Sequence, residues 1–137
     1  MKIKLLNPTI PKSWYPTQKT DNAVGADVYA TQEHVFAPGE TYPMGLGFGL
    51  EIPPGFAGFI FPRSSCSKNG IICQLAPIDP YYSGEIHAII TNVSSKEYYV
   101  KKGDRIGQLV IVPVIIPEFV ENIDTSRGTG AFGSTGK

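Results

Sequence analysis

No window of eleven or more residues in this chain repeats apolar residues at the 3.6-residue spacing of a helix face. Its apolar runs are short, rich in Val, Ile, Phe and Tyr, and cut every few residues by one of fifteen glycines or twelve prolines. That punctuation predicts an all-β fold of many short antiparallel strands, a jelly roll or β-sandwich barrel with at most one short helix, over residues 64–69. The expected strands are 3–6, 26–30, 34–36, 47–52, 57–61, 86–92, 98–100 and 105–112. Within 50–61, L-E-I-P-P-G-F-A-G-F-I-F, the Pro-Pro-Gly reads as the turn of a hairpin between two alternating strands. Pro113 and Pro117 bracket an apolar Val-Ile-Ile that reads as an edge strand or an extended C-terminal arm, suited to contact with a neighbouring subunit.

The chain's 137 residues, 42% hydrophobic, suffice for one compact domain, expected over 1–120, with a glycine-rich tail over 121–137. Twelve basic and twelve acidic residues cancel, and no Lys or Arg run could track a phosphate backbone, which argues against general nucleic-acid binding. No apolar run approaches membrane-spanning length, and the opening M-K-I-K-L-L-N-P reads as a first strand, without the apolar stretch of a signal peptide. Cys66 and Cys73 lack the partners of a zinc set. Reduced thiols in a cytoplasmic protein are the expectation, a disulfide the lesser one.

Several segments carry polar groups in positions that invite chemistry. In 76–86, A-P-I-D-P-Y-Y-S-G-E-I, Asp79 sits on a bend between two apolar runs, either capping its own turn or presenting a carboxylate. Pro62-Arg63-Ser64-Ser65 ends a strong strand with a guanidinium and two hydroxyls, a set suited to phosphate; the plainer reading is an arginine bridging strands and a serine helix cap. Lys102-Gly103-Asp104-Arg105 is a charged turn, but Gln108 beyond it is an amide inside an apolar strand and needs partners. Asp27 is a carboxylate inside a strand, at a strand end or near a metal. The tail's A-F-G-S-T-G-K is similar to the end of a nucleotide-binding phosphate loop without the preceding strand; its glycines and hydroxyls still offer donors to phosphate.

In this order, from about residue 23 to 137, these segments resemble the five motifs of the trimeric dUTP diphosphatase (dUTPase) family, most closely in P-R-S-S, G-D-R-I-G-Q-L and R-G-T-G-A-F-G-S-T-G. The resemblance implies a jelly-roll homotrimer with active sites at subunit interfaces, hydrolysing dUTP to dUMP and diphosphate with Mg2+. It makes Asp79 the carboxylate that activates water, and Tyr82 the aromatic beneath the deoxyribose that leaves no room for a 2′-hydroxyl. Ala76 and Ile78 would belong to the hairpin that meets the uracil edge. Arg63, Ser64, Ser65 and Gln108 would contact the triphosphate, with Asp27 near the metal through water. In the tail, Phe132 would stack on uracil, Arg127 would clamp the γ-phosphate, and Gly133, Ser134 and Thr135 would add donors.

The third motif departs from the family's usual Gly-Val-Ile-Asp and Tyr-Arg-Gly: here stand Ala76-Pro77-Ile78-Asp79 and Tyr82-Ser83-Gly84. Ile-Asp-Pro-x-x-Ser-Gly is also similar to the dCTP deaminases of the same fold. Those enzymes place a general-base Glu about ten residues on, where this chain has Ala88, Ile89 and Ile90. A dCTP deaminase or bifunctional deaminase/diphosphatase of the same fold, and a non-catalytic nucleotide-sensing regulator, are the alternatives to the diphosphatase.

Overall fold

The computed structural model describes residues 1–123. Ten strands and one α-helix follow in the order β1 (Lys4–Leu6), β2 (Ala26–Tyr29), β3 (His34–Phe36), β4 (Thr41–Gly45), β5 (Gly49–Glu51), β6 (Phe56–Phe61), α1 (Ser64–Lys68), β7 (Ile71–Cys73), β8 (His87–Asn92), β9 (Tyr98–Val100) and β10 (Arg105–Pro113). A single 3-10 turn, Lys12–Trp14, lies between β1 and β2. All pairings are antiparallel: β1 with β5, β3 with β9, and two three-stranded sheets ordered β2-β10-β6 and β4-β8-β7. The strands close as a jelly roll around Phe36, Phe48, Met44, Leu46, Leu50, Ile86 and Ile90, each at most 2% exposed.

The expected hairpin over residues 50–61 does not form. Pro53-Pro54-Gly55 does turn the chain, with Gly55 at φ 90° and Phe56 N–H reaching Pro53 O at 3.3 Å. The flanking strands then part, β5 pairing with β1 and β6 with β10. The turn is therefore a corner between sheets, because each flanking strand buries its apolar residues against a different partner. β4 and β7 were not expected from the sequence. Pro43 lies inside β4, tolerable because β4 is an edge strand of its sheet.

β10 is the strand that builds the site. A register shift between Arg105 and Gly107 bulges it, after which Gln108 stands opposite Asp27 on β2 and Phe61 on β6. On β8, Asn92 is fully buried with its amide satisfied. Its Nδ2 donates to Phe36 O and Lys96 O, and its Oδ1 accepts from Ser94 N–H and Oγ–H. After β10, residues 114–123 leave as an extended arm with Ile115, Ile116, Phe119 and Val120 exposed.

Candidate active site

The β2-β10-β6 register brings four expected residues to one place. Asp27, Arg63, Ser64 and Gln108, with Lys19, Ala23 and Gly25, line a cleft of about 150 Å³. Asp27 is only 7% exposed, and its carboxylate lies 3.9 Å from Arg63 Nε and 3.7 Å from Arg105 Nη1. These are ion pairs longer than hydrogen bonds, so the guanidinium donors stay available to an incoming anion. Lys19 and Arg105 add positive charge that reading motifs one at a time did not assign to a site. Arg105 lies in the anticipated charged turn, where Asp104 Oδ2 accepts Lys101 N–H at 2.9 Å and Gly103 takes φ 91°.

Pro62 ends β6 and Arg63 is the N-cap position of α1, so Ser64 begins the helix and does not cap it. Ser64 and Ser65 are both exposed, their hydroxyls free of hydrogen bonds among the described residues. Gly25 forms the cleft floor. A Cβ there would lie 2.8 Å from Gln108 Cβ and overlap its amide oxygen, so the close approach requires glycine.

Asp79 lies on the loop between β7 and β8. Buried Ile78 anchors that loop by bridging Gly58 of β6, with Gly58 N–H to Ile78 O at 3.0 Å and Ile78 N–H to Gly58 O at 2.8 Å. That bond occupies the Ile78 N–H, leaving only the carbonyl's second lone pair for a base edge. Ala76 is exposed, its N–H directed to Gln74 O at 3.2 Å. Asp79 O accepts Tyr82 N–H at 3.2 Å, closing the bend by backbone alone. The Asp79 carboxylate makes no hydrogen bond among the described residues and is exposed, so it does not cap its own turn. Tyr82 folds back, its hydroxyl donating to Glu85 O at 3.0 Å.

Within one chain the two halves are separate. Ile78 sits across β6 from β10, three strand spacings from Asp27 and three residues along, which places the two backbones roughly 17 Å apart. Arg127, Phe132, Gly133, Ser134 and Thr135 lie outside the described residues. Cys66 and Cys73 are free and buried. Burial, and secondarily Cys66, pushes the Cys73 thiol up to about 12. Among the described residues no helix is long and apolar enough to cross a membrane.

The dUTPase family model matches residues 12–136. A deoxyuridine 5′-triphosphate nucleotidohydrolase of Nautilia profundicola is 39% identical, over 100% of this chain and 99% of its own. One of the same name from Zymomonas mobilis is 36% identical over 99% of each. In three dimensions the chain resembles a variant dUTPase of S. aureus phage phi11, described with a structural Mg(II) ion, at TM-score 0.78 and 21% identity over 91% of this chain and 100% of that one. A variant of the Staphylococcus bacteriophage 80alpha dUTPase with dUpNHpp superposes at TM-score 0.74, 24% identical over 99% of both chains. With the family match spanning the cleft, the Asp79 loop and the tail together, this chain belongs to the dUTPase family.

Proposed function

We propose that the chain hydrolyses dUTP to dUMP and diphosphate in a homotrimer whose sites are shared between subunits. The observation that carries this reading is the cleft where Asp27, Arg63, Ser64 and Gln108 converge beside Lys19 and Arg105, in a chain of this family. Three cationic side chains around one carboxylate give a site of net positive charge, with forked and amide donors that suit a triphosphate. Asp79, rigidly placed and unbonded, serves as the base: it takes a proton from water as the oxygen attacks the α-phosphorus, and the bond to the bridging oxygen of diphosphate breaks. The separation of Asp79 from the cleft within one chain favours a neighbouring subunit as the source of one half. The exposed apolar arm beyond β10 is suited to that association.

Magnesium fits the cleft as an ion carried on phosphate oxygens and water. Among the described residues no three His, Cys, Asp or Glu side chains converge, and the Asp27 carboxylate, without a hydrogen bond of its own there, lines the cleft. Asp27 would hold it through water, and the ion would neutralise phosphate charge. Ser65 joins Ser64 at the triphosphate, and Ala76 and the Ile78 carbonyl flank the uracil. Arg127, Phe132, Gly133, Ser134 and Thr135 of the tail close over the nucleotide and exclude bulk water. β8, His87–Asn92, carries no carboxylate, which removes the base a deaminase needs.

The test is diphosphate release with dUTP, dCTP, dTTP and UTP, with products identified. The expected result is turnover of dUTP to dUMP, with the other three slower by orders of magnitude. No release from dUTP, or deamination of dCTP, would overturn the proposal.

A further inference from the structure

Residues 45–49 read G-L-G-F-G, and the alternation has a structural purpose. Leu46 and Phe48 point into the core at 1% and 2% exposure, while Gly45 and Gly49 face residues 83–85 and Gly47, at φ 80°, bends the chain between them. The side towards residues 83–85 has no room for side chains. A Cβ at Gly45 would lie 2.6 Å from Glu85 Oε2, and one at Gly49 would lie 2.9 Å from Gly84 O and 3.0 Å from Ser83 O. Backbone bonds from Leu46 N–H to Ile86 O and from Ile86 N–H to Phe48 O, both 2.9 Å, hold the two segments side by side. The Glu85 carboxylate completes the attachment by accepting Gly47 N–H at 2.8 Å.

This track carries the return limb of the Asp79 loop, and Tyr82 lies on that limb. A Cβ at Gly84 would stand 2.6 Å from Tyr82 Oη and 2.8 Å from Cζ, so the ring rests directly on the bare Gly84 backbone. Its hydroxyl bonds to Glu85 O, and the ring is otherwise 47% exposed. The position of Tyr82 is therefore set from below, by Gly84 and by the Glu85–Gly47 attachment.

We propose that Gly84 and Glu85 are positioning residues that fix the Tyr82 ring and so set the discrimination between deoxyribose and ribose triphosphates. This rests on the reading of Tyr82 as the group beneath the sugar. A ring rejects one extra hydroxyl only if it cannot move aside, which demands placement to about 0.5 Å. Neither residue lines the cleft of Asp27, Arg63, Ser64 and Gln108, so their loss relaxes selectivity more than it slows dUTP.

The test compares kcat/KM for UTP and dUTP in wild type, Gly84→Ala, Glu85→Ala and Glu85→Gln. Gly84→Ala and Glu85→Ala are expected to raise the UTP-to-dUTP ratio about tenfold, in the range of discrimination that one small group commands. Glu85→Gln keeps an oxygen that accepts Gly47 N–H and restores most of the selectivity. A purely structural role would lower both substrates alike, and an unchanged ratio in both alanine variants would overturn the proposal. Wild type inactive on dUTP would strike the proposed function alone. In that case the NMR contact between the Tyr82 ring and the Gly84 Hα protons still decides: it is expected in wild type and lost in Glu85→Ala, and its retention there refutes the positioning role.

Discussion

Gly25→Ala tests whether the cleft is built to aim Gln108. The added Cβ would sit 2.8 Å from Gln108 Cβ, which can move only with the β10 backbone, and inside the contact distance of the amide oxygen. β10 is held on both sides, Gln108 standing opposite Asp27 and Phe61. The amide swings out of the cleft, and because no side-chain rotation moves Gln108 Cβ, the backbone at 25 or 108 must also give by a few tenths of an ångström. Losing one hydrogen bond to a charged phosphate costs about 1.5–3 kcal/mol, or about 10- to 150-fold in kcat/KM. Gly25 is outside the left-handed region, so alanine meets no backbone strain and gains about 0.4–1 kcal/mol through the unfolded chain, offsetting part of the packing cost. Steady-state kinetics with dUTP, paired with thermal unfolding, would show a catalytic loss of that size beside a stability loss of about 1–3 kcal/mol from the overpacked contact. In a Gln108→Ala background, which keeps the Cβ at 108 but has no amide to misplace, the same substitution should cost much less in kcat/KM. A Gly25→Ala enzyme close to wild type, or one equally impaired in both backgrounds, would refute the reasoning.

Asp79→Asn should lower turnover by about 10²- to 10⁴-fold while dUTP still binds, measured by single-turnover hydrolysis beside calorimetric titration. Asn92→Ala leaves the Phe36 carbonyl without its side-chain donor and Ser94 N–H without its acceptor, while Ser94 Oγ–H keeps Lys96 O, and should cost about 2 kcal/mol in chemical denaturation. The Cys73 thiol, raised from 9.0 to about 12, contributes stability that is complete below the unfolded value and is lost as pH climbs from 9.0 towards 12. Thermal unfolding of Cys73→Ala should fall less steeply across that alkaline range than wild type. Tyr98, raised by burial and by its contact with Cys66 at 3.5 Å, leaves a residual slope in both.

Local rules carried much of the fold. Period-2 apolar runs located β2, β3, β6, β8, β9 and β10, and Ser64–Lys68 forms the one α-helix among the described residues. What they could not supply was partnership. Pro53-Pro54-Gly55 looks the same at a hairpin or at a corner, and only the burial of β5 against β1 and of β6 against β10 decides. β4 was hidden by Pro43, and β7, Ile-Ile-Cys directly after Gly70, shows no polar-apolar alternation. At the site, Asp27, Arg63, Ser64 and Gln108 were legible as polar groups in apolar surroundings. Lys19 and Arg105 were not, because a cation on a turn gains meaning only when folding brings it to a carboxylate. The G-L-G-F-G run at 45–49 was a visible signal: Gly45 ends β4 and Gly49 begins β5 against residues 83–85, and Gly47 at φ 80° turns the chain between them.

The central claim is that Asp79 of one subunit works on a nucleotide held by Asp27, Arg63, Ser64 and Gln108 of another. Asp79→Asn and Arg63→Ala chains, each inactive alone, can be mixed, unfolded together and refolded, and diphosphate release from dUTP measured. Random assortment in a trimer with shared sites gives one site in about four an intact pair, so activity should return to about a quarter of wild type. A mixture as inactive as its two parents would show that Asp79 and Arg63 serve the same chain's site, and would contradict the account.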